Sequence, residues 1–173
     1  PEPFIVLATQ NPIEMEGTFP LPEAQIDRFL SKVIIEYPTK EETIQMLKRL
    51  KEIQEWPIDP IARAEDVIKM SESLWRVYVD ESVIHYLVDI VEETRRHPHV
   101  KLGASPRAAI SMLQLSRAVA LLSGRDYVIP DDVLWLVPHV LPHRVILTSK
   151  TRYGGATAKQ IIAEIVGRIK VPV

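Results

Sequence analysis

The chain has 173 residues, a formal net charge of −2 and an apolar fraction of 46%, which suits one domain or two small ones and gives no support for bulk electrostatic binding to nucleic acid. It contains no cysteine, so a disulfide scaffold, a thiol nucleophile and a cysteine zinc site are excluded. No apolar run approaches the roughly 18 residues of a membrane span and no signal peptide opens the chain, so we expect a cytoplasmic protein.

Two short apolar segments predict β-strands. Residues 4–8 are apolar on both faces, which is typical of a central strand in a parallel sheet, and residues 32–37 are the second candidate. Two strands do not make a stable sheet. Either another chain completes the sheet or this polypeptide is the back end of a longer α/β domain, and we favour the second interpretation.

Helices are predicted from residue 39 onward. Thr39 and Glu42 have the spacing of a capping box and open a helix that reaches about residue 55, where two prolines stop it. We place a domain boundary there, between residues 1–57 and residues 58–173. The expected fold is therefore mostly α, with a two-strand remnant of a parallel α/β core followed by an all-α domain.

The second domain is predicted to be helical throughout. A serine before a proline is a strong helix start. The serine side chain accepts a hydrogen bond from an otherwise unpaired backbone N–H of the first turn, and proline has no N–H to satisfy. The predicted elements are helices 66–78, 81–96 capped by Asp80, 105–123 capped by Ser105, a helix from Pro130 that Pro138 kinks or ends, a loop at 150–156, and a terminal helix opened by Thr157.

Asn11 and Arg28 are candidate site residues in the first domain. Asn11 follows the predicted strand 4–8, and ligands of open α/β sheets bind beyond the carboxyl ends of strands, where an amide can orient a water or a phosphate oxygen. Asn-Pro is also ordinary turn chemistry. Arg28 lies near the end of a short helix started by Pro22, where a cation is favourable, and it could instead form a local ion pair with Asp27.

Arg107 is the candidate in the second domain. It falls at the second position of the helix that Ser105 caps, where a cation opposes the helix dipole by roughly 0.3–1 kcal/mol. Free backbone N–H groups and a guanidinium together suit an anion such as phosphate. The alternative is a solvated first-turn arginine or one paired with a neighbouring acid.

Other chemistry has little support. His97 and His99 lack a third ligand at a metal-binding spacing, so we expect no metal site. No nucleophile motif is present, and no glycine belongs to a GxxxxGK[ST] phosphate loop.

Three sequence signatures occur together in the chain. They are ATQNP at 8–12 with its continuation to Phe29, LGASPRA at 102–108, and Val140-Leu141 with HRV at 143–145. With these signatures the chain resembles the MoxR-type AAA+ ATPases over nearly its whole length, although Pro142 stands where that family usually has a charged residue. The resemblance implies that residues 1–57 end the ATPase core and that residues 58–173 form the helical lid with a C-terminal helix.

The resemblance also implies roles for the three candidates. Asn11 corresponds to sensor 1, which orients the attacking water. Arg28 corresponds to the arginine finger that reaches the nucleotide of the neighbouring subunit, and Arg107 to sensor 2, which touches the γ-phosphate. The implied cofactors are ATP and Mg²⁺, and the implied assembly is a hexameric ring. The family's Walker A lysine and Walker B acids precede the segment that opens here, so we expect no ATP hydrolysis by this chain alone.

Two interpretations from different classes remain. The first is the C-terminal portion of a MoxR-type ATPase that couples ATP binding and hydrolysis to chaperone-like remodelling or maturation of other proteins. The second is a non-enzymatic helical interaction or scaffold module derived from an AAA+ lid. A magnesium-chelatase-like or MCM-like subunit is a closer rival within the ATPases. The sequence does not name a client protein.

Overall fold

The computed structural model describes residues 2–10, 21–55, 57 and 59–172. Its helices are α1 (Glu23–Ile26), α2 (Lys40–Lys48), α3 (Leu50–Glu55), α4 (Ala64–Ser73), α5 (Glu81–Arg96), α6 (Pro106–Leu122), α7 (Pro130–Val140), α8 (Ser149–Tyr153) and α9 (Ala158–Val166). Two 3₁₀ turns, Leu74–Arg76 and Pro142–Arg144, and two strands, β1 (Val100–Leu102) and β2 (Ile146–Leu147), complete the described elements. None of the helices in these ranges is long and apolar enough to cross a membrane.

The hydrophobic core belongs to one part of the chain. Among the described residues, every buried apolar side chain lies between Val77 and Ile165, and we call residues 77–166 the helical domain. α5, α6, α7 and α9 pack on one another, and their Ile90, Met112 and Ile162 are at most 1% exposed. The periodic apolar stripes of the sequence therefore predict this core correctly, and the mostly helical fold class is confirmed.

The two segments predicted as strands require a correction. Residues 4–8 and 32–37 are assigned to no strand, and their apolar side chains are open to solvent, with Phe4 80% and Ile35 90% exposed. The strands that the structure does contain, β1 and β2, pair antiparallel inside the helical domain. The physical reason is that a strand needs a hydrogen-bonded neighbour, and no other described segment pairs with residues 4–8 or 32–37.

Helix starts agree with the sequence better than helix ends do. Thr39 and Thr157 form the predicted capping boxes, and Asp80 and Ser105 cap α5 and α6. The helix predicted to run to about residue 55 is instead interrupted at Arg49.

Three further details differ from the sequence prediction. The helix predicted at 66–78 ends at Ser73 and continues as a 3₁₀ turn, and the predicted loop 150–156 contains most of α8. α7 continues to Val140, two residues past Pro138. A proline this close to a helix end removes few helical hydrogen bonds, which is why the helix tolerates it.

Gly103 fixes the start of α6 against α5. A Cβ at this position would lie 2.7 Å from the backbone N and Cα of Arg95, so only glycine fits. The close approach lets Thr94 Oγ1 accept a hydrogen bond from Ala104 N at 2.9 Å, and Arg95 Nε donates to Ala104 O at 2.8 Å. These contacts hold the N-terminus of α6 and its cap, Ser105, in a defined position.

The first testable prediction concerns where stability resides. Ile90→Ala should lower the free energy of unfolding of the 173-residue chain by about 2–5 kcal/mol, because it leaves a cavity in the core. Ile53→Ala is the matched control, since Ile53 in α3 is 51% exposed, and it should change stability by less than about 0.5 kcal/mol. Urea unfolding followed by circular dichroism measures both, and equal losses would place the core elsewhere.

Candidate functional site

A buried arginine holds the segment 27–32 against the helical domain. The side chain of Arg144, in the turn after α7, is only 1% exposed. Its Nε lies 3.3 Å from Asp27 Oδ1, its Nη2 donates to Phe29 O at 2.5 Å, and its Nη1 donates to Leu30 O at 3.3 Å. One guanidinium therefore binds three residues of this segment.

The same guanidinium is also tied to the helical domain itself. Nη1 donates to Val140 O at 2.8 Å and Nη2 donates to Ser111 Oγ at 3.1 Å. Burial lowers the pKa of Arg144 from its usual value, and the Asp27 carboxylate acts in the opposite direction. Because a guanidinium is effectively always protonated, the structure encloses a positive charge that Asp27 and the carbonyl oxygens compensate.

Asp27 links this arginine to the start of α6. Ser105 Oγ donates to the two carboxylate oxygens of Asp27 at 2.9 and 2.8 Å, and it accepts a hydrogen bond from Arg107 N at 3.2 Å. Ser105 thus both caps α6 and forms a hydrogen bond with Asp27. The result is a joint, Asp27–Arg144–Ser105, between the segment that carries Arg28 and the helix that carries Arg107.

Two further contacts support the joint. Lys32 N donates to His139 O at 2.8 Å, and His143 Nε2 lies 3.4 Å from Phe29 O. Burial, and next the positive charge of Arg144, lower the pKa of His143 to about 4. His143 is therefore neutral near pH 7, and the proton on its Nε2 is the one that can be donated to the carbonyl group.

The structure places two of the three predicted site residues at this joint. Arg28 and Arg107 are both exposed, and neither side chain forms a hydrogen bond or an ion pair with the described part of the chain. The alternative that Arg28 pairs with Asp27 is not observed, because Asp27 pairs with Arg144. Asn11 lies outside the described residues.

The joint is formed by Arg144, Asp27 and Ser105. The sequence alone assigned no role to Arg144. The available signal was a charged residue inside the apolar stretch from Leu141 to Leu147, within the third signature. Charged residues are almost never fully buried unless they are paired, so this position indicated a partner but not which one.

Comparison with known proteins identifies the family. Residues 92–165 match the AAA lid domain, and residues 1–31 match the ATPase family associated with various cellular activities (AAA). The chain is 40% identical over 175 residues to chaperone MoxR1 of Mycobacterium tuberculosis, a match covering 96% of this chain and 45% of that protein. The chain belongs to the MoxR-type AAA+ family.

Two more relatives agree with this assignment. The chain is 46% identical to YeaC of Bacillus subtilis, covering 99% of this chain and 54% of YeaC. A crystal structure of a candidate ATPase from Cytophaga hutchinsonii superimposes with a TM-score of 0.92 at 33% identity, covering 100% of this chain and 56% of that one. This MoxR-type chain thus spans about half the length of the relatives it matches.

The second prediction is a pH dependence of stability that originates at His143. Its pKa is about 4 when folded and about 6.5 when unfolded, so acid protonates the unfolded chain first. The contribution of neutral His143 to the free energy of unfolding is fully present above pH 6.5 and is lost as the pH falls toward 4. We expect a loss of about 1–2 kcal/mol between pH 7 and pH 5, allowing for partial exposure.

His143→Gln should remove this part of the loss, because the amide does not titrate. His85→Gln is the control, since the His85 side chain is 72% exposed and should leave the pH profile unchanged. Urea titrations at several pH values measure the difference. An unaltered profile in His143→Gln would contradict the assignment.

Proposed function

We propose that this chain supplies the end of the core, residues 1–57, and the helical lid, residues 58–173, of an AAA+ ATPase that couples ATP binding and hydrolysis to remodelling or maturation of other proteins. The observation that carries the proposal is the joint Asp27–Arg144–Ser105. It brings two exposed arginines, from different parts of the chain, to one junction while leaving both guanidinium groups unpaired within the described residues.

Two arginines that have no partner among the described residues suit phosphoryl transfer. Charge develops on the phosphoryl oxygens and the leaving group in the transition state, and positioned guanidinium donors stabilise it. We assign Arg28 as the arginine finger for the nucleotide of a neighbouring subunit in a ring. Arg107, at the positive end of α6, is assigned to the γ-phosphate of a bound nucleotide. Asn11, as sensor 1, would orient the attacking water.

The phosphate loop and the magnesium ligands of this enzyme are expected outside the 173 residues. No GxxxxGK[ST] occurs in the sequence, and the matched relatives are about twice as long. Val33, Ile34 and Ile35 are 70–90% exposed, and exposed apolar patches of this kind mark interaction surfaces. We infer that these residues are covered by the remainder of the ATPase core, and that ATP and Mg²⁺ are held there.

The third prediction tests Arg28 in the full-length AAA+ protein. Arg28→Ala should spare ATP binding and reduce turnover by roughly 10³–10⁵-fold, because the guanidinium acts on charge in the transition state. Mixing Arg28→Ala subunits that have an intact Walker A with subunits that have a dead Walker A and an intact Arg28 should restore hydrolysis. Phosphate release is the measurement. Absence of recovery in demonstrably mixed rings would show that Arg28 does not act in trans.

The fourth prediction separates Arg107 from Arg28. Arg107→Ala should weaken ATP binding as well as turnover, since a lid contact to the γ-phosphate is already present in the bound ground state. Arg96→Ala is the matched control, because Arg96 is an exposed lid arginine whose ion pair is with Glu92 on its own helix. Titration with a fluorescent ATP analogue measures the affinity. Wild-type affinity in Arg107→Ala would remove it from the site.

If the longer protein showed neither nucleotide binding nor turnover, the scaffold interpretation would take precedence. The chain alone is the negative control in both assays, because it carries no phosphate loop.

A further inference from the structure

We propose that Arg144 is a positioning residue for Arg28, because it docks the segment 27–32, which carries the proposed arginine finger, on the helical domain. The inference rests on the proposed role of Arg28. It assigns to Arg144 the coupling between two elements that the sequence places in different domains.

The guanidinium of Arg144 donates hydrogen bonds both to the segment 27–32 and to the helical domain. Toward the loop, it binds Asp27 Oδ1 at 3.3 Å and the carbonyl oxygens of Phe29 and Leu30. Toward the lid, it donates to Val140 O and Ser111 Oγ. All three guanidinium nitrogens are used. The planar fork of arginine provides donors in these directions at once, whereas the single ammonium of lysine does not.

Arg28 lies between residues that Arg144 holds. The backbone on its N-terminal side is fixed through Asp27, and on its C-terminal side through Phe29 O and Leu30 O. Arg144 therefore holds the backbone on both sides of Arg28, together with Ser105 at Asp27 and the Lys32 N–H on His139 O. A displacement of 1 Å at a catalytic group can lower a rate by about 10²-fold, so a loosened loop should reduce turnover without removing the finger.

A purely structural role does not account for the choice of residue. Replacing a buried ion pair by apolar side chains of similar volume is often neutral or stabilising, so apolar side chains would fill the same space without loss of stability. The arginine adds hydrogen bonds of fixed direction to the carbonyl oxygens of Phe29 and Leu30 in the segment 27–32. Those bonds fix its place relative to α6 and α7.

The first experiment measures the loop in the 173-residue chain with Arg144→Lys. Trypsin cleaves after Arg28, and cleavage requires the 27–32 segment to leave the helical domain. We expect cleavage after Arg28 to accelerate about tenfold, because the directed bonds are lost and the open population rises. Cleavage after Lys51 in the exposed helix α3 should stay unchanged.

Arg125→Lys is the matched control. Arg125 is also a lid arginine paired with a buried acid, donating to Asp132 at 2.9 and 2.6 Å, but none of its contacts reaches the 27–32 segment. It should leave the Arg28 cleavage rate as in the parent chain. Unchanged protection in Arg144→Lys, or equal acceleration in Arg125→Lys, would overturn the inference. If Arg144→Lys does not fold, Asp27→Asn removes the charge pair from the other side and should show a smaller acceleration.

The second experiment is a double-mutant cycle on turnover in the full-length protein, under single-turnover conditions. Arg144→Lys should lower the single-turnover rate constant of hydrolysis by about 10²-fold with an unchanged Kd for ATP. In the Arg28→Ala background the same substitution should cause no further loss, because Arg144 acts through Arg28. The same fold-loss in both backgrounds would show an independent structural effect and overturn the inference.

The role of Arg28 and its coupling to Arg144 can be contradicted by different results. Full turnover in Arg28→Ala would overturn the assignment of Arg28 as the arginine finger and, with it, the coupling inferred here, but not the proposed ATPase activity. Trypsin protection that does not change in Arg144→Lys would overturn the coupling alone, whatever Arg28 does.

Discussion

The buried charge of Arg144 is the constraint on which the arrangement of the two parts of the chain depends. A guanidinium removed from water destabilises the fold unless it is paired and fully hydrogen-bonded. Here the lid supplies Val140 O and Ser111 Oγ, and the segment 27–32 supplies the remaining acceptors and the only carboxylate in contact with Arg144 among the described residues. Releasing the segment would leave that charge uncompensated, so it stays docked although it contributes no side chain to the buried apolar core.

The helical domain holds its part of the joint in a defined position through close local contacts between α5 and the start of α6. Gly103 lets the chain pass within contact distance of the α5 backbone, and Thr94 fixes Ala104 there. Ser105 then has a defined position from which it both caps α6 and binds Asp27. The signature 102–108 therefore has one continuous physical explanation, which runs from a steric requirement for glycine to the placement of Arg107.

Local rules explain what the sequence could predict. Caps at Thr39, Asp80, Ser105 and Thr157 act over two or three residues, so a single sequence contains their whole cause. The candidate strands 4–8 and 32–37 depend on hydrogen-bonded neighbours that are not local, and there the prediction differs from the structure. The role of Arg144 was not predictable for the same reason, since its contact to Asp27 spans 117 positions. The domain boundary and the role of Asn11 stay predictions.

The chain uses arginine in two opposite ways at the same joint, and one use makes the other possible. Asp27 is the acid adjacent to Arg28 in sequence, and an acid in that position would ordinarily attract the guanidinium and neutralise it. Its carboxylate is instead occupied by Arg144 and by Ser105. Among the described residues Arg28 therefore has no acid as a partner, while the backbone on either side of it is anchored. Within the part of the chain that the structure describes, a buried arginine whose donors are all used thus leaves an exposed arginine both unpaired and held in place.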